Sequence, residues 1–157
     1  MKDNTLREVK KRLYSYPKLD KYISDYEEEL KGIQEKIIAH RDVGASSMSL
    51  TGVRGSDLSD PTASKALKID TLQDVYSRRA EYIAQKIDKY YKEKQSIESA
   101  LEKVSQLYRN LIEERYFNCN AWCEVAKILD MSTRNCEKQG RLAVKELTEI
   151  LKKEELS

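Results

Sequence analysis

YFNCNAWCEVAKILDMSTRNCEKQGRLAVKEL, residues Tyr116 to Leu147, carries the sharpest local pattern in the chain. Ala121 to Leu129 reads as a short helix, because Trp122, Val125, Ala126 and Leu129 recur three and four apart on one face. Asp130 and Met131 read as a turn. Ser132 then stands where an N-cap belongs, its hydroxyl placed to accept from an orphan amide of the next helix. That second helix turns Cys136, Ala143 and Leu147 inward and leaves Arg134, Asn135, Lys138, Gln139, Arg141 and Lys145 for solvent or ligand.

Two helices joined by a tight turn form a helix-turn-helix pattern, whose second helix is the candidate reader of a DNA major groove; the same pair also occurs in plain helical bundles, where the charged flank is a solvated face. The residue types suit double-stranded DNA. Arg and Lys donate to guanine O6 and N7, Asn and Gln pair with adenine, and Ser and Thr hold phosphates. From Met131 to Lys145 the cations are Arg134, Lys138, Arg141 and Lys145, against the single anion Glu137, a local excess of +3. The expected DNA-binding residues are therefore Ser132, Thr133, Arg134, Asn135, Lys138, Gln139, Arg141 and Lys145. Gly140 inside the second helix costs about 1 kcal/mol relative to Ala. Glu137 has to turn from the phosphates or accept from a cytosine amine.

Outward from this stretch, the composition favours helices: 157 residues hold 5 Gly and 2 Pro. The net charge of +2 is spread evenly along the chain, with ten basic and eight acidic residues over 1–41, ten of each over 42–105 and nine of each over 106–157. A nucleic-acid surface must therefore arise by local sorting of charge. No apolar run approaches the roughly 20 residues of a membrane span, and no signal-peptide core opens the chain. Three Cys do not suggest a disulfide scaffold, and the cytoplasm is the expected compartment.

Upstream, Asp3 to Tyr14 reads as a helix with Leu6, Val9 and Leu13 on its apolar edge, ended by Pro17. A second helix to about Ala39 carries Leu19, Ile23, Tyr26, Leu30, Ile33 and Ile37 at alternating steps of four and three, a heptad seam. Residues 41–61, with Gly44, Gly52, Gly55 and five Ser, read as a flexible connector between antiparallel helices, the alternative being a nucleic-acid or protein contact through Arg41 and Arg54. Asp60-Pro61 suits the start of a third helix, to about Glu93, with an interruption near Lys94 to Ser96. A short helix from Ile97 to Val104 and another capped by Ser105 follow; a single rod through Tyr116 is the alternative. The expected fold is all-α: a long antiparallel, coiled-coil-like arm over residues 1–95 and a helix-turn-helix unit over 96–157, its charged tail fraying. Long seams invite self-association, and a homodimer suits paired half-sites.

No constellation for catalysis is legible. Cys119, Cys123 and Cys136 lack a nearby fourth soft ligand, since His40 is far off in sequence, and Cys123 and Cys136 read as small buried apolar residues. His40 reads as a cation at a helix end. No nucleophile stands with a base and an orienter, so neither an enzyme nor a cofactor is expected.

Residues 111–147 resemble region 4 of bacterial sigma factors, and more closely the small phage-encoded transcriptional regulators of the RinA and ArpU type. The matching residues are Arg115, Tyr116 and Phe117, then Trp122 with Glu124, Val125 and Ala126, then Ser132, Ala143 and Leu147. GASSMSLTGVRGSDLSDPTASKALKI, from Gly44, is similar to the Ser/Gly-rich linker and Asp-Pro of the phage proteins. The chain departs from the pattern at Asp130, where Gly is usual, and at Cys136, Gly140 and Leu142. The resemblance implies a sequence-specific regulator of phage late genes in the host-cell cytoplasm, with RNA polymerase as a further partner. The rival expectation is a structural module that docks on RNA polymerase or another phage protein without touching DNA.

Overall fold

The computed structural model describes residues 2–50 and 61–157, with side chains described for 2–41 and 71–157. The fold is all-α, and no strand occurs among the described residues. In chain order the elements are α1 (Lys2–Leu50), α2 (Pro61–Glu102), α3 (Gln106–Ile112) continued by a π turn over Glu113–Phe117, α4 (Trp122–Ile128) and α5 (Thr133–Leu156). No helix among the described residues is long and apolar enough to cross a membrane.

Three expected breaks are absent. α1 runs through Pro17, although a mid-helix proline costs about 3 kcal/mol. Burial of Leu13 and Leu19 holds the register on either side. Tyr16, just before the proline, donates to Glu98 Oε1 at 2.6 Å and stacks on Phe117 with centroids 4.5 Å apart. The linker expected from Arg41 is helical as far as Leu50, since adding residues to a formed helix gains a hydrogen bond each time. The rest of that linker, with Arg54, lies outside the described residues. α2 likewise runs unbroken past Lys94, which is half-buried with its ammonium donating to Asp20 Oδ1 at 2.6 Å. Its stem lies along the seam while the charge finds a partner, so the position does not interrupt the helix. That bond, more than the neighbouring Glu98, raises the Lys94 pKa.

The chain divides into two compact units, residues 1–22 with 90–157, and residues 23–89. The first turns of α1 thus belong with the C-terminal helices, whereas a division at 95/96 would set them apart. In the larger unit, Val9 and Leu13 of α1 share a buried core with Ile97 and Ala100 of α2, Ile112 and Tyr116, and Ala143, Val144, Leu147 and Leu151 of α5. Polar bonds close its rim. Arg12 pairs with Glu93 at 2.6 Å and Glu155 at 2.9 Å, and Lys103 pairs with Glu154. These bonds hold the last turns of α5, so the charged tail is helical to Leu156 rather than frayed.

In the unit of residues 23–89, Ile23, Ile33 and Ile83 are buried. Glu29 meets Arg79 at 2.9 Å, and His40 stacks on Tyr76 with centroids 5.7 Å apart. Partners thus fall along α2 as they rise along α1, so the two helices run antiparallel there. His40 lies inside α1 against an aromatic ring, not at a helix end as its sequence position suggests.

Candidate nucleic-acid interface

Each part of the C-terminal stretch has a local cause. Ser105 caps α3, its hydroxyl accepting from the Tyr108 amide at 3.3 Å. α4 buries Val125 and Ala126 fully and Trp122 and Leu129 partly, on a small core with Leu111 and Cys136. The turn after α4 is made by Asp130 at φ 54°, a left-handed conformation that short polar side chains tolerate better than bulky ones. The Met131 amide returns to the Ala126 carbonyl at 2.9 Å. Ser132 then opens α5 as N-cap, accepting from the Asn135 amide at 3.3 Å.

Gly140 is buried, and its lack of a side chain has a tertiary cause. A Cβ there would lie 2.8 Å from Cζ3 of Trp122 and closer still to Cη2. The indole thus packs on the backbone of α5, which only glycine permits. Arg115, in the π turn, holds the other partner of this contact. Its guanidinium lies 5.1 Å from the Trp122 ring centroid and donates to the Asn120 carbonyl at 3.0 Å. Asn120 in turn donates to Glu114 Oε2 at 2.8 Å. Tyr116 is buried with its ring edge-on to Tyr14 at 4.9 Å, and burial pushes its phenol up to about 12.

The two faces of α5 are the same pattern offset by two residues. Cys136, Gly140, Ala143 and Leu147 step by four, three and four and are buried. Arg134, Lys138, Arg141 and Lys145 step by four, three and four and are exposed. At about 100° per residue each stripe fills a sector of roughly 60°, and the offset places them on opposite sides of the helix. None of the four cations has an ion-pair partner among the described residues. Neighbouring like charges on a helix cost about 0.2–0.5 kcal/mol per pair. Glu137, one turn from Arg134 and Arg141, and Glu149, one turn from Lys145, offset part of that repulsion, and an anion lying against the stripe offsets more. Ser132, Thr133 and Asn135 are exposed at the same end, and Gln139 is half-buried at the edge. The amino end of α5 adds the positive end of a helix dipole.

The expected second-helix core of Cys136, Ala143 and Leu147 is buried, joined by Val144, Thr148 and Leu151. Burial raises the Cys136 thiol pKa, with the nearby Glu137 carboxylate adding to it. Cys123, expected inside, is exposed, as is Cys119, whose φ is 55°. Cys123 follows Trp122 by one residue, about 100° round the helix, which carries it off the buried face. Among the described residues no group of three or more His, Cys, Asp and Glu is placed to hold a metal. The Arg115–Trp122 contact carries no periodic signal; only the oddity of a glycine inside an amphipathic helix pointed to it. No known family model matches the chain, and no curated protein or solved structure matches it.

Proposed function

We propose that the protein is a sequence-specific, double-stranded-DNA-binding transcriptional regulator, of the phage late-gene kind it resembles. α4, the turn and α5 act as a helix-turn-helix, and α1 and α2 as an antiparallel arm. The observation that carries this reading is the exposed, unpaired stripe of Arg134, Lys138, Arg141 and Lys145, set opposite the buried stripe of one helix. α5 lies in the major groove with its amino end toward the base edges. Ser132 and Thr133 set its position against the backbone, Arg134, Asn135, Lys138 and Gln139 contact bases or phosphates, and Arg141 and Lys145 contact phosphates. The phosphates relieve the repulsion along the stripe.

Docking on a protein, such as a subunit of RNA polymerase, is the second reading. It is favoured by Ile128 at the end of α4, 56% exposed. Gel-shift titration against fragments of the source genome, at low and high salt, separates the two. DNA binding gives a sequence-dependent shift that weakens steeply with salt. Pure docking gives no shift above background.

A further inference from the structure

The outward face of α5 is not uniform. Beside the cation stripe runs a neutral edge, formed by Asn135 and Leu142. They are seven residues apart, so they lie within about 20° of each other round the helix and about 10 Å apart along it. That distance is close to the rise of three base pairs. Leu142 is 42% exposed, flanked by Lys138 and Lys145 one turn to either side, and it belongs to neither buried core of its unit. Beyond it the edge turns acidic, with exposed Glu146 and Glu149, which phosphates would repel. A contact with DNA along this edge is therefore bounded to the first three turns of α5, which end at Leu142.

We infer that Asn135 and Leu142 form an edge that reads A·T base pairs: Leu142 packs on a thymine methyl, and the Asn135 amide donates to adenine N7 while its carbonyl accepts from the N6 amine. This rests on the reading of α5 as a groove-bound helix and adds what that helix selects. In the major groove thymine alone presents a methyl group, and adenine alone pairs an N7 acceptor with an amine donor. An exposed leucine among cations has an apolar partner there without loss of the phosphate contacts around it.

The test uses the full chain and a randomised duplex library, from which bound sequences are selected and then remade with uracil in place of thymine. The expected selection is A·T pairs, and wild type loses about fourfold in affinity per contacted methyl on the uracil duplexes, the worth of one buried methyl group. Leu142→Ala, at an exposed position, is expected to bind both versions with the weaker of the two affinities. Asn135→Ala is expected to lose the adenine preference and keep the thymine–uracil difference. Equal wild-type affinity for both versions overturns the inference and leaves the DNA-binding reading intact. A Leu142→Ala variant that changes self-association but not the thymine–uracil difference also overturns it, since that leucine then covers a second copy. Absence of any DNA binding by wild type overturns both.

Discussion

The Trp122 indole rests on the backbone of Gly140, so close that a methyl group at residue 140 would fall within 2.8 Å of Cζ3. This contact joins α4 to α5 on the buried side of α5, opposite the cation stripe. Gly140→Ala gains about 1 kcal/mol of helix propensity. It also overpacks a ring that the Arg115 guanidinium faces at 5.1 Å, and overpacking costs about 1–3 kcal/mol. A net loss of up to about 2 kcal/mol in urea unfolding is expected. With Trp122→Ala already present, the same substitution is expected to become neutral or stabilising. A loss of equal size in both backgrounds would show that the indole is not what excludes the methyl.

Ser132 accepts from the Asn135 amide at the start of α5. Ser132→Ala is expected to cost about 1 kcal/mol, and Ser132→Asp to cost less, since Asp also caps. Chemical denaturation of both variants checks this. Equal losses would mean that the hydroxyl matters for something other than the cap.

Tyr116 gives a pH signature. Burial disfavours its phenolate and moves the phenol from the usual value near 10 up to about 12. Between those values the unfolded chain gives up the proton and the folded chain keeps it, so the unfolded state binds fewer protons and stability falls with rising pH. The contribution is complete below about pH 10 and lost on passing about pH 12. Tyr116→Phe is expected to flatten the alkaline fall measured by unfolding midpoints across that window. An unchanged fall would assign it to other groups.

The all-α class and the second helix of the C-terminal pair were legible, because burial on α5 follows the simple period of Cys136, Ala143 and Leu147. The cap at Ser132 was legible because capping is local chemistry. What misled were residues whose local preference is overruled at a distance. Pro17, Gly44 and Lys94 are breakers by propensity or charge, yet each lies inside a continuous helix. Asp20, which takes the Lys94 charge, is remote from it in sequence. The packing of α1's first turns on α5 was hidden for the same reason: Leu6, Val9 and Leu13 announce an apolar edge but not its partner. Gly140 looked like a weakness until the ring beside it was in view.

In the proposed function the unpaired cations of α5 meet phosphates. The most direct test of that contact is the salt dependence of DNA affinity for wild type and Lys138→Ala, on duplexes selected by the wild-type protein. Lys138 is exposed and outside the core, so the variant is expected to fold as wild type does. The expected result is weaker binding, and a log–log slope against salt shallower by about one, the loss of one phosphate contact. Unchanged affinity together with an unchanged slope would contradict it.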